Sequence, residues 1–397
     1  MKILVINAGS SSLKFQLFNT PPEKPLCTGL AERIGNNDAL LRCKIYSGNN
    51  EKTVEKQQGL ANHGDALGLI IEILTDAENQ LLKNKEEITV VGHRVVHGGE
   101  DFTTATIITP QVKEKIKHLF PLAPLHNPAN YACIEVAEEH FPAAKQVAVF
   151  DTAFHQAMPP RAFRYALPSS YYTEHRIRVY GFHGTSHKYV TGIARDMLGN
   201  PDAKMISIHL GNGCSMAAVK GDKPLDTSMG FGPLSGLVMG TRSGDIDPSV
   251  IFHLRKVLKM TTDEVDNLLN RQSGMLGLCG YSDMRDVNKA AASGDASALF
   301  ALEAYAYRIK KYIGAYAAVL NGVDTIIFTA GVGENDSDTR ARVCRDMDWL
   351  GVSINDAANN QRVAGPREIS PAGSPVKVMV VPTNEELEIA RECAVRI

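Results

Sequence analysis

An α/β fold in two domains is what this sequence predicts, and three observations carry the prediction. Its 397 residues exceed what a single hydrophobic core usually serves. Short apolar runs ending in Gly, Ser and Asn alternate with amphipathic helical stretches along the whole chain. A strand–turn–strand unit opens the chain ("KILVINAGSSSLKFQLF") and returns near residue 205 ("MISIHLGNGCSMAAVKG"), which points to an internal duplication.

Composition narrows the class. The chain is 44% hydrophobic and 22% charged, with a net charge of −2. No basic field calls for nucleic acid or an anionic membrane. No apolar run reaches the ~20 residues of a membrane span. "MKILVINAG" turns polar too soon for a signal peptide and reads as a first strand. The seven cysteines show no C-x-x-C spacing, as expected of free thiols in a reducing cytoplasm.

The elements follow in order. Residues 3–6 are aliphatic and suit a buried strand. Residues 7–11 are turn chemistry, and Leu13, Phe15 and Leu17 alternate as a second strand. Further short strands run to about Tyr46. A helical period covers roughly 65–82, residues 88–96 form a strand, and Pro110 opens a helix at its first turn. Residues 145–155 form a strand with a polar tip. Residues 205–221 repeat the hairpin, 323–335 form a strand with a glycine-rich turn before a helix, and 376–392 form a strand, a proline and a helix. The domain boundary is placed near residue 150, with a first domain of 1–150 joined by a returning helix (383–397) and a second of 151–382.

The chemistry concentrates in the turns. "NAGSSSLKF" is no P-loop, because it leads into a strand rather than a helix. Its N–H groups can still form an anion nest, with Ser10, Ser12 and Lys14 as further donors and Asn7 within reach of a metal or its waters. A plain hairpin loop is an equal reading. Gly211 and Gly213 of "HLGNG" permit close backbone approach. "AGVGEN" (330–335) offers a nucleotide contact.

Histidines stand four apart in "GHRVVHGGE" and "GFHGTSH", without the glutamate of a zinc motif. His97, His155 and His187 read as structural. Arg94 and His183, flanked by glycines, read as exposed at strand tips. Arg242, between Gly240 and Gly244, has little structural employment, whereas Asp245 and Asp247 suit helix caps. An arginine fork stays charged and fits carboxylate or phosphate. Asp151 ends an apolar strand. In "PTNEEL", Thr383 and Glu386 fit a capping box, leaving Glu385 available to a hydrated cation.

Taken together, "NAGSSSLKF", "GHRVVHGGE", "PLAPLHNP", "FDTAFHQ", "YGFHGTSH", "HLGNG", "DTSMG", "MGTRSGDIDP", "GVGEN" and "PTNEEL" resemble the acetate kinase family in order and spacing across nearly the whole chain. The resemblance implies two domains of duplicated actin/hexokinase-like (ribonuclease H-like) topology with an ATP cleft. It also implies Mg²⁺ (or Mn²⁺), ATP and acetate as small-molecule substrates, and a cytoplasmic homodimer that dimerises through the second domain, with no nucleic-acid or membrane partner.

By the same resemblance Asn7 and Glu385 are the magnesium-associated pair, Lys14 with Ser10 and Ser12 contacts ATP, and Arg94 binds substrate. Asp151 is the residue usually given as proton donor, and His183 and Arg242 stabilise the transition state. His209, Leu210, Gly211, Asn212 and Gly213, then Asp283, Met284 and Arg285, then Gly331, Val332, Gly333, Glu334 and Asn335 are the nucleotide segments. Val96, Leu125, Phe182 and Pro233 line a small pocket for the acetate methyl. Met284 and Cys214 depart from the usual pattern.

Acetate is ionised at pH 7 and needs no general base, so alignment of an arginine or of hydrated Mg²⁺ suits Asp151 better than proton donation. The implied reaction is phosphoryl transfer from ATP to acetate. Propionate or another short-chain carboxylate is the alternative acceptor, and an actin-like nucleotide switch is the alternative class.

Overall fold

The computed structural model describes residues 1–9, 11–48 and 50–397. Ser10, one of the expected phosphate contacts, lies outside them. The chain divides into two compact units, Met1–Gln156 with Asn384–Ile397, and Ala157–Thr383.

Among the described residues, the first unit is built on an eight-stranded sheet. Its strands are β1 (Lys2–Ala8), β2 (Ser12–Asn19), β3 (Pro25–Glu32), β4 (Ala39–Ser47), β5 (Asn50–Gln58), β6 (Ile88–Val95), β7 (Thr106–Ile107) and β8 (Lys145–Phe150), in the order β5-β4-β3-β2-β1-β6-β8-β7. β1 pairs antiparallel with β2 and parallel with β6, and β6 pairs parallel with β8. The central strands are apolar runs buried on both faces, as parallel strands require. Helices His63–Thr75 and Asn127–His140 pack against one another, and the C-terminal helix Glu385–Arg396 packs on β1 and β6. The first helix stops at Thr75, short of the expected 82, where Asp76 leaves helical geometry.

The second unit holds a six-stranded sheet of β9 (Lys204–Leu210), β10 (Cys214–Lys220), β11 (Lys223–Thr227), β12 (Thr325–Thr329), β13 (Arg367–Glu368) and β14 (Lys377–Val380). Its order, β11-β10-β9-β12-β14-β13, repeats the run β3-β2-β1-β6-β8-β7 of the first sheet. Three antiparallel strands are followed by two parallel ones, so β9, β10, β11, β12 and β14 stand where β1, β2, β3, β6 and β8 stand. The duplication inferred from two similar hairpins is therefore a duplication of the whole sheet core. Among the described residues, no helix is long and apolar enough to cross a membrane.

Two local expectations are corrected. "AGVGEN" is not a turn before a helix but a helix in its own right, Ala330–Asn335, and the next helix, Ser337–Cys344, is capped by Asp336. His183 is not at a strand tip; it is the N-cap of helix Gly184–Leu198, in the left-handed region at φ 56°.

Candidate functional site

In the first unit, the parallel strands end on polar side chains gathered around one guanidinium. Arg94, next to last in β6, donates from Nε to both Asp151 oxygens (3.1 Å each) and from Nη2 to Oδ2 (2.5 Å). Its Nη1 donates to Asn7 Oδ1 at 3.1 Å, and Glu385 Oε2 lies 3.9 Å from Nε. Asp151 follows β8 and is buried. Burial works against the Arg94 charge, but Asp151, Glu385 and Glu386 outweigh it and hold its pKa above the ordinary arginine value.

Glu385 opens the C-terminal helix. Burial, reinforced by Asp151 and Glu386 and opposed by Arg94 and Lys14, pushes its carboxyl up to about 7. The expected Thr383/Glu386 capping box does not form. Asn384 is the N-cap and accepts from the Leu387 N–H. The helix begins one residue later than that pattern requires, which frees Glu386 to accept from Asn7 Nδ2 at 3.1 Å. Lys14 is exposed and faces Asn7 across the β1–β2 pairing.

The sequence reading missed two asparagines that brace this site. Asn130 donates to the Ala8 carbonyl (2.8 Å) and accepts from the Val96 N–H (3.2 Å). Asn127 accepts from the His97 N–H (3.0 Å) and donates to its carbonyl (2.9 Å). Val96 is buried, whereas Leu125 is 60% exposed.

In the second unit, His183 and Arg242 meet at Gly213. A Cβ placed there would lie 3.5 Å from Arg242 Nη1 and 3.6 Å from His183 Nε2. Arg242 donates to the Pro233 carbonyl at 3.0 Å. Burial draws its pKa below the ordinary value. Its loop is fastened to the turn after β9, where the Gly240 N–H donates to the Asn212 carbonyl (3.1 Å) and a side chain on Gly240 would strike Asn212 Oδ1. Asp247 caps helix Pro248–Lys256 as expected, but Asp245 does not. It accepts from the Gly236 N–H and the Tyr312 hydroxyl instead.

His183 stacks on His209, centroids 4.2 Å apart at 17°. Its Nδ1 is 2.9 Å from Ser215 Oγ. His209 reaches Ser186, which reaches Thr383. Phe182 is buried.

The same unit holds a pocket of about 1080 Å³. Gly211, Asn212, Asp283, Met284, Arg285, Gly331, Val332 and Asn335 line it, joined by Ser282, Asn288, Asp336 and Arg342, which sequence reasoning did not single out. Ala291, Leu299 and Leu302 give it an apolar wall. Asp283 caps helix Met284–Ala292 and takes the Arg285 fork, whose hydrogen bonds hold its carboxyl down at about 2. His209, Leu210, Gly213, Gly333 and Glu334 are not in the lining. Glu334 accepts from the Thr383 N–H, and the Gly333 carbonyl accepts from Arg340.

Two sheets of this repeated order define an α/β fold with a duplicated core. The chain belongs to the acetokinase family, whose model matches residues 2–391. It is 53% identical over 392 residues to an acetate kinase of Flavobacterium johnsoniae, covering 99% of this chain and 98% of that one. The crystal structure of Porphyromonas gingivalis acetate kinase superimposes with a TM-score of 0.91 at 43% identity, covering 99% of both chains. A propionate kinase from Francisella tularensis gives 0.89 at 42%, covering 98% of both.

Proposed function

We propose that this protein transfers the γ-phosphoryl group of ATP reversibly to acetate, giving ADP and acetyl phosphate. Family membership and the acetate kinases at about half identity support the reaction. The observation that carries the site is the state of Arg94. Of its five N–H groups, three are engaged by Asp151 and Asn7. Among the described residues, one N–H remains on each terminal nitrogen. That edge is a planar, permanently charged fork matched to a carboxylate.

The oxygen donors around Arg94 suit a hard divalent cation. Asn7, Glu385 and Glu386 are amide and carboxylate groups, and the raised Glu385 pKa reflects burial and unbalanced negative charge. Among the described residues, no three acidic, His or Cys side chains form a protein-only cage. Asn7 and Glu385 would hold Mg²⁺ (or Mn²⁺) beside the nucleotide phosphates. When bound, it supplies neutralisation of phosphate charge.

The chain's own residues do the rest. Arg94 holds the acetate carboxylate, and Asp151 fixes the plane of Arg94 rather than moving a proton. Lys14 and Ser12 meet phosphate oxygens. The pocket of about 1080 Å³ takes the nucleoside, with its apolar wall against the base. His183 and Arg242 present donors to charge that develops on the equatorial oxygens in flight, where one such donor is worth roughly 3–4 kcal/mol. Phe182, Pro233, Val96 and Leu125 are assigned to the methyl end of acetate. The protein is assigned to the cytoplasm as a homodimer without nucleic-acid or membrane partners, which sedimentation and fractionation test.

Trapping with hydroxylamine tests the reaction. ATP-, acetate- and protein-dependent acetohydroxamate is expected, and ATP hydrolysis without hydroxamate would favour an actin-like switch. Propionate is the second acceptor to assay, because the Francisella tularensis propionate kinase is nearly as similar in structure as the acetate kinase.

A further inference from the structure

Behind His183 lies a file of buried hydroxyls and imidazole that the reaction does not touch. Ser215 Oγ sits 2.9 Å from His183 Nδ1 and 2.8 Å from His187 Nε2. His187 Nδ1 in turn is 2.8 Å from Ser207 Oγ. Ser207, Ser215 and His187 are completely buried. Three elements converge here. Ser207 is on β9, Ser215 is on β10 opposite His209, and His187 is one turn into helix Gly184–Leu198, four residues after His183.

Counting protons limits the file to two directions. A serine hydroxyl carries one hydrogen and donates to one ring nitrogen at a time. With both short contacts made and its one hydrogen placed in one of them, Ser215 either donates to His183 and accepts from His187, or the reverse. In the first arrangement Ser207 donates to His187 Nδ1, and His187 Nε2–H donates to Ser215. Ser215 donates to His183 Nδ1, and a neutral His183 carries its hydrogen on Nε2. In the second, every bond reverses and Nε2 presents a lone pair. The Cε1–Nε2 edge of the ring faces Gly213 beside Arg242, with Cε1 3.5 Å and Nε2 3.6 Å from a Cβ built there. A lone pair there would repel phosphoryl oxygens, and an N–H would bind them.

We infer that Ser215, backed by His187 and Ser207, is a positioning residue that holds His183 in its Nε2–H tautomer so that it meets the transferring phosphoryl group as a donor. The inference rests on the phosphoryl-transfer reading for the role of His183. The tautomer itself does not depend on that reading. The stacked ring of His209 fixes the plane of His183, and the serine file fixes which nitrogen holds the hydrogen.

The test is Ser215→Ala, with Ser207→Ala as a milder variant at the far end of the file. Both remove one oxygen and leave volume nearly unchanged. ¹⁵N-edited NMR of the imidazoles, with the His183 signals assigned by their loss in His183→Gln, is expected to show the Nε2–H form in the parent. Ser215→Ala should move the population towards Nδ1–H, with Ser207→Ala in between. The kcat of Ser215→Ala should fall roughly ten- to hundredfold, with both KM values changed less than about twofold. Ser215→Thr, which keeps the hydroxyl, should restore the Nε2–H signal where it folds. A parent already in the Nδ1–H form, or an unchanged tautomer and kcat in Ser215→Ala, overturns the inference. A shifted tautomer with full activity leaves the file intact and removes His183 from the reaction, so the two failures are told apart.

Discussion

Asp151 grips the Arg94 fork from the side, at 2.5 Å to Nη2 and 3.1 Å to Nε, and so decides which edge of the guanidinium is left for a ligand. Its buried carboxylate is paired with a cation and fixes that cation in place. Asp151→Asn is expected to lower kcat/KM for acetate by on the order of a hundredfold or more, through Arg94. A double-mutant cycle with Arg94→Ala checks this. Coupled residues give losses well short of additive. If the two losses multiply instead, Asp151 acts on its own.

Arg242→Ala should lose turnover. The side chain bonds the Pro233 carbonyl and Met239 Sδ through Nη1 and faces Gly213, and among the described residues no carboxylate pairs with it. Removal of one preorganised donor costs roughly hundreds-fold in kcat. A rise in acetate KM with kcat intact would make it a ground-state contact.

Acid should weaken the first unit through His93. This ring on β6 is buried and donates from Nε2 to Gln146 Oε1 at 2.7 Å. Burial lowers its pKa from 6.5 to about 4. The unfolded chain therefore takes up the proton first on acidification. The neutral ring's stabilisation is whole above about pH 6.5 and is lost as pH falls towards 4, at about 1 kcal/mol by pH 5.5. His93→Asn should be less stable at pH 7.5 but flatter in its urea midpoint between pH 7.5 and 5.5. An unchanged slope would assign the acid sensitivity to other groups.

What the sequence made legible was chemistry confined to a few consecutive residues. The glycines around Arg242 stand out in the sequence, and at Gly240 a side chain would indeed strike Asn212 Oδ1; the repeated hairpin betrayed the duplicated sheets. Relations across elements stayed hidden. Ser207 and Ser215 look like ordinary strand polar residues until the β9–β10 register brings them to His187. Asn130 sits in an unremarkable helix more than 30 residues from the Val96 N–H it accepts. β5 was missed because "NEKTVEKQQ" is an almost wholly exposed edge strand with no apolar alternation to announce it. The "TNEE" run offers two caps one residue apart, Thr383 and Asn384, and the helix starts from Asn384.

Val96 tests substrate size. It follows Val95, the last residue of β6, two positions after Arg94, and it is buried, with its N–H held by Asn130. A branched side chain so anchored cannot swing aside for a longer acyl chain. One methylene decides only ~1–3 kcal/mol in an apolar pocket, so the native preference for acetate over propionate should be real but modest. Val96→Ala should shift the kcat/KM ratio towards propionate by roughly tenfold. The competing account is that Val96 only packs the strand end. In that case the truncation lowers stability by about 1–2 kcal/mol and slows both acids equally. Measuring kcat/KM for both acids on both proteins, beside their urea midpoints, separates the two. A constant ratio with a lowered midpoint assigns Val96 to the core and moves the acyl pocket elsewhere. A shifted ratio with little change in midpoint places the acyl chain against this side chain.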